Sequence, residues 1–156
     1  ILTLLVTTWT QVSYWKNSIT VFKQTINVTD KQYPNLAIIH NNLGIALFAD
    51  RKNEEAISHY KMAIKLKPTH TKAYYNLGIA LFADRKNEEA ISHYKMAIKL
   101  NSNFTDAHYN LGVILLQKGE MKEAVYHFRK ALRLRPGFIR ARDHLELALL
   151  QLQELE

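Results

Sequence analysis

Residues 42–66 read NLGIALFADRKNEEAISHYKMAIKL, and residues 76–100 repeat them letter for letter at an offset of 34. A third, diverged copy, NLGVILLQKGEMKEAVYHFRKALRL, occupies residues 110–134 at the same offset. A fixed period of this length means one supersecondary unit per copy, each burying its apolar face against its neighbours. The chain is thereby confined to a repeat architecture, and the question becomes what one unit is made of.

One unit contains two helical patterns. Leu43, Ile45, Ala46, Leu47 and Phe48 form an apolar-rich segment, and Ala56, Ile57, Tyr60, Ala63, Ile64 and Leu66 follow the i, i+3, i+4, i+7 spacing of a second. A short polar turn, Ala49 to Asn53, joins them into an antiparallel hairpin. Asn53 is suited to N-cap the second helix, and Glu54 and Glu55 then sit where the helix dipole favours negative charge. Asn87, Glu88 and Glu89 repeat the signal. With only five Gly and three Pro in 156 residues, the chain has little material for sheet turns. Helices are predicted near 36–49, 54–66, 71–83, 88–100, 105–118 and 122–134, with a further one from about 138.

The period and the residues at fixed places within it resemble the tetratricopeptide repeat (TPR). The pattern L-G-x2-L, then Ala, an aromatic, Ala and Pro, is carried by Leu43, Gly44, Leu47, Ala56, Tyr60, Ala63 and Pro68. It returns as Leu77, Gly78, Leu81, Ala90, Tyr94 and Ala97, and again as Leu111, Gly112, Leu115, Ala124, Phe128, Ala131 and Pro136. The resemblance implies an all-α fold, a right-handed TPR superhelix of antiparallel helix pairs with a C-terminal capping helix. Its three repeats would cover 37–70, 71–104 and 105–138, between an atypical half repeat at 1–36 and a cap at 139–156. The departures are local. His40, Tyr74 and His108 stand where the family often has Trp, Ser102 replaces a Pro, and of the three turns only one carries a Gly, Gly119, against Arg51 and Arg85.

The ends diverge from the repeat. Beyond Pro136-Gly137, Ile139, Leu145, Ala148, Leu149 and Leu152 with charged residues between them suit a solvating cap helix. Asn17 to Val28 mimics the second helix of a repeat, Ile19, Phe22 and Ile26 matching Ile57, Tyr60 and Ile64. No residue from 1 to 15 is charged. That run is shorter than the ~20 residues of a membrane span. It suits either the outer end of a membrane helix or a first buried helix of the solenoid. If it is the former, Leu4, Leu5, Val6 and Trp9 lie exposed and self-association through residues 1–28 is expected. The junction Tyr14-Trp15-Lys16-Asn17-Ser18 with Phe22, followed by His40-Asn41-Asn42-Leu43-Gly44, resembles multi-spanning bacterial membrane proteins that carry TPRs after their last span, several similar to lipid-dependent protein glycosyltransferases. That resemblance implies membrane attachment at the N-terminal end, with the repeats in an aqueous compartment, periplasmic or cytoplasmic.

Catalytic chemistry is missing from the pattern. No Gly-rich phosphate loop, H-E-x-x-H or G-x-S-x-G is present, and with no cysteine there is no thiolate nucleophile. The paired acids are explained as helix starts, so neither an enzyme nor a cofactor is expected. His59, His93 and His127 recur one repeat apart, too far to share a metal ion with bonds near ~2.0 Å, and are expected at the surface. His40 and His108, in the place of a buried aromatic, are expected to be core groups with hydrogen-bond partners. The sequons Asn27-Val28-Thr29 and Asn103-Phe104-Thr105 arise easily by chance. The net charge of +7 makes acidic partners, nucleic acid and an anionic membrane surface the candidates to weigh. Its repeating placement, at Lys61, Lys65, Lys67, Lys95, Lys99, Lys130, Arg133 and Arg135, suits a solvated helix face rather than a nucleic-acid footprint.

A protein or peptide is the expected partner. In the TPR family the first helix of each repeat lines a concave groove, and in the glycosyltransferase-like relatives an Asn before Leu-Gly bonds a bound peptide backbone. Here that Asn is Asn42, Asn76 and Asn110. Around it stand Asn41, Tyr75 and Tyr109, then Ile45, Ile79 and Val113, then Phe48, Phe82 and Leu116. The clamp for a terminal carboxylate in other TPR proteins needs several cations, and only Lys72 is basic in this set. A self-assembling solenoid and a substrate-recruiting domain of a membrane glycosyltransferase stand as alternatives.

Overall fold

The computed structural model describes residues 16–28 and 35–154, and among these the regular structure is helix throughout. The elements are α1 (16–28), α2 (Leu36–Ala49), α3 (Asn53–Leu66), α4 (Thr71–Ala83), α5 (Asn87–Leu100), α6 (Thr105–Gln117), α7 (Met121–Leu134) and α8 (Ile139–Gln153). Helices α1 to α4 belong to one compact unit and α5 to α8 to a second. The expected helices are all present, with some ends displaced by one residue. The predicted partner helix at 1–15 lies outside the described residues. In α1, Ile19 is buried while Val21 and Val28 are exposed. Among the described residues no helix is long and apolar enough to cross a membrane.

In the first unit α2 packs on α3 and α3 on α4. Leu43, Ala46, Leu47, Ala56, Ala63, Leu77 and Ala80 have no measurable exposure. Small residues on facing helices bring the backbones close, and Tyr60 fills the space left by a missing side chain: a Cβ on Gly44 would stand 2.5 Å from its ring. The aromatic therefore packs within its own hairpin. Asn53 is not the N-cap expected of it. It forms the first residue of α3, the preceding Lys52 makes no side-chain cap bond, and the Asn53 amide donates instead to Asp84 Oδ1 at 3.3 Å.

The turn between paired helices is a Schellman motif in each repeat. After α2, Lys52 N–H donates to Leu47 O and Arg51 N–H to Phe48 O; the equivalents are Lys86 to Leu81, Arg85 to Phe82, Glu120 to Leu115 and Gly119 to Leu116. The motif needs a left-handed residue, and the φ values are 62° at Arg51, 60° at Arg85 and 80° at Gly119. Two of the three turns thus hold an arginine where its Cβ crowds the backbone. Replacing Arg51 and Arg85 by Gly, as the third repeat already has, is expected to stabilise the protein by about 1 kcal/mol per site. A thermal or urea midpoint that fails to rise in the double variant would contradict this.

In the second unit α6 packs on α5, and α7 on both α6 and α8. Phe128 repeats the role of Tyr60, a Cβ on Gly112 standing 2.8 Å from its ring. Lys118 at the end of α6 bridges Glu88 and Glu120, both at 2.8 Å. The cap is anchored by Phe138, Ala141 and Ala148, all buried, whereas Ile139, expected in its apolar stripe, is 66% exposed. Phe138 precedes the first turn and reaches inward against Ala131 and Ala141, which turns the next residue outward. The guanidinium of Arg135 lies 4.7 Å from the Phe138 ring centre and that of Arg140 5.7 Å from it.

Candidate functional site

The amide ladder forms around a residue whose environment the sequence did not reveal. Asn41 is buried, on the helix face turned toward α4. Its Oδ1 accepts from Asn76 Nδ2 at 2.9 Å, and its Nδ2 donates to Asn42 Oδ1 at 3.3 Å. Asn41 is therefore the bridge between the two ladder residues rather than a groove-lining contact, because a buried amide must spend its donor and acceptor on neighbours. Asn42 and Asn76 are only half-buried. The bridge uses the oxygen of one and an N–H of the other, so an Asn42 N–H and the Asn76 oxygen stay available. Reversing all three amides would exchange donor and acceptor and keep one of each. An extended backbone carries that complementary pair.

Apolar surface flanks the amides in the same unit. Ile45 is 38% exposed, Phe48, Tyr75, Ile79 and Phe82 are half-buried, and Lys72 is exposed. In the second unit Asn110 and Val113 are half-buried and Leu116 is buried. Val113 and Leu116 face the cap across a cavity of about 670 Å³ that His144, Leu147 and Gln151 also line. The cap helix is thus part of the wall, which the sequence pattern did not show. Tyr109 is committed to the cap. Its ring centre lies 4.8 Å from Phe138 and 5.6 Å, edge-on, from His144.

The histidines form pairs. His40 Nδ1 stands 2.8 Å from His59 Nδ1, and His108 Nδ1 3.0 Å from His127 Nδ1, within single hairpins. His40 and His108 are the expected buried groups, but His59 and His127 are half-buried partners rather than surface residues. In such a pair one Nδ1 donates and the other accepts. Burial lowers the pKa of all four, aided at His40 by His59, at His59 by Lys23 and at His108 by Lys130. The effect is largest at His127, pushed down to about 4 by burial, His108 and Lys95. Among the described residues no group of three or more His, Asp or Glu converges on a point where an ion could sit.

Paired antiparallel helices at a 34-residue period, closed by left-handed turns and fronted by amides and apolar side chains, define a helical-repeat binding protein. The tetratricopeptide-repeat family profiles match residues 35–103 and 75–137, and the chain belongs to that family. It is similar to the crystal structure of MamA, with 30% identity and a TM-score of 0.78 over 86% of this chain and 76% of that one. It is also similar to the first TPR of Spaghetti (RPAP3) bound to the HSP90 peptide SRMEEVD, at 25% identity and a TM-score of 0.73, covering 75% of this chain and 93% of that one. YrrB, described as a TPR protein with an unusual peptide-binding site, shares the fold at 20% identity and a TM-score of 0.72, over 84% of this chain and 66% of that one. A comparison with curated protein sequences finds no match.

Proposed function

We propose that this TPR protein is an interaction scaffold that holds a partner polypeptide in extended form along the first helices of its repeats, by amide bonds to the partner's backbone. The observation that carries the reading is the Asn41 bridge, which fixes Asn42 and Asn76 and leaves a donor and an acceptor available. Ile45, Ile79 and Phe82 supply apolar contact that tolerates varied side chains. Peptide binding by the RPAP3 relative supports the same class of partner. With Lys72 as the one cation among these residues, an internal segment is favoured over a free terminal carboxylate, whose recognition needs several charge-assisted bonds.

Selection of peptides from a random library, followed by titration, tests the proposal. Asn76→Ala with Asn110→Ala is expected to weaken a selected peptide by about 1–3 kcal/mol in total, the cost of the lost hydrogen bonds. N-methylation of the contacting peptide amide should reproduce much of that loss. Because Asn76→Ala also strips Asn41 of its partner, melting curves accompany the titration. Equal affinity in the double variant would remove the amides from the site.

A further inference from the structure

We infer that the outer face of α7 is a second docking surface, separate from the amide-bearing face, and that it takes an acidic polypeptide segment with an apolar side chain among its carboxylates. Lys122, Tyr126, Arg129 and Arg133 follow one another at i, i+4, i+7 and i+11, a single stripe of roughly 16 Å on an α-helix. Tyr126 is 60% exposed in the middle of it. With Val125 and Lys130 these four side chains line a shallow hollow of about 330 Å³. None of Lys122, Arg129, Lys130 and Arg133 forms an ion pair among the described residues, although Lys23, Lys52, Lys86, Lys118 and Arg135 all do.

The other repeats show what this stripe looks like without such a task. At the equivalent positions α3 carries Glu54, Ser58, Lys61 and Lys65, and α5 carries Glu88, Ser92, Lys95 and Lys99. Three of the four changes in α7 favour anion binding and the fourth adds apolar surface, while two of them run against local stability or solubility. Lys122 replaces an acid in the first turn, where the helix dipole disfavours a cation. Tyr126 replaces a serine and exposes a ring. Arg129 and Arg133 replace lysines with planar groups that grip carboxylates two bonds at a time. The apolar floor made by Val125 and the Tyr126 ring would be filled by a side chain between the carboxylates. A duplex phosphate backbone or a lipid headgroup layer presents charge without an apolar group at the same level, and a stacked base is flatter than the hollow between Val125 and the Tyr126 ring, so a polypeptide side chain is the occupant inferred here.

The test uses the full chain and a labelled Glu-rich peptide of roughly four helical turns with one central Leu-Phe pair. The decisive variant is Tyr126→Ser with Arg129→Lys and Arg133→Lys. It keeps the net charge, and its new residues are those α3 and α5 already carry. It is expected to bind the peptide about tenfold more weakly, having lost the bidentate groups and the ring, while Lys61→Gln with Lys65→Gln in α3 changes little. A peptide with Ser in place of Leu-Phe should lose a comparable factor. Undiminished binding by the charge-conserving variant would reduce the effect to bulk charge and overturn the proposal. So would phosphatidylserine vesicles or an oligothymidine binding more tightly than the peptide through the same stripe. Peptide binding lost with the stripe but untouched by Asn76→Ala and Asn110→Ala would separate this surface from the amide ladder.

Discussion

Phe128→Ala is expected to cost about 3–5 kcal/mol, among the largest losses from a single truncation in the second unit. Phe128 has no exposed surface, and its ring neighbours Tyr109 at 6.1 Å and His144 at 5.7 Å. It touches the repeat on one side and the cap on the other, so its removal opens a cavity that two elements would have to close together. Rigid helices cannot both move in. The complementary change is Gly112→Ala, whose methyl would meet the ring at 2.8 Å, and which is expected to cost about 1–3 kcal/mol by overpacking. Combined with Phe128→Leu, the same methyl should be tolerated better than the sum of the single changes. Urea unfolding of the four proteins measures the coupling, and strict additivity would show that Gly112 is small for some other reason.

The repeat fold was legible because two copies are identical and the third keeps the small-residue and aromatic positions. Ala56, Tyr60, Ala63 and their equivalents sit at the same place in three hairpins, so one unit's pattern is checked three times. Pairwise choices within a unit were harder to see. His40 and His59 are 19 residues apart with nothing in the letters to join them, and only the packing of α2 on α3 brings their nitrogens to 2.8 Å. Asn41 and Asn42 are adjacent and chemically identical, yet one is buried and the other half-buried, because α4 covers only one side of α2. Asn53 looked like a cap by type and position. Its amide found Asp84, a partner 31 residues away, and long-range partners override local preference when both are polar. The Lys122 to Arg133 stripe could have been found by comparing the third copy with the first two position by position on the exposed face, where departures are not forced by the core.

Acidification from pH 7 to pH 4 is expected to destabilise the protein more than surface charge alone would, with the histidine pairs responsible. In the folded chain His108 and His127 share a short Nδ1 to Nδ1 contact of 3.0 Å, which requires at least one imidazole to be neutral. Protonating both sets two N–H groups against each other in a half-buried place, beside Lys95 and Lys130. Burial above all, then His108 and Lys95, hold the pKa of His127 at about 4 when folded, against 6.5 for the ordinary imidazole. Because the folded value lies below the unfolded one, the unfolded chain takes up protons first as pH falls. The pair's contribution is fully present above about pH 6.5 and is lost progressively between that value and about 4. With solvent screening at its exposed edge, His127 accounts for about 2 kcal/mol of that loss. His40 and His59 act in the same direction, the pKa of each lowered chiefly by burial, with His59 adding to the effect at His40 and Lys23 at His59, where Glu55 opposes. His127→Gln keeps a donor and an acceptor but cannot titrate, so it should flatten the fall in melting temperature across this window while leaving the carboxylate-driven loss at lower pH. Parallel slopes for wild type and His127→Gln between pH 6.5 and 4 would mean that the pair is not what the acid attacks.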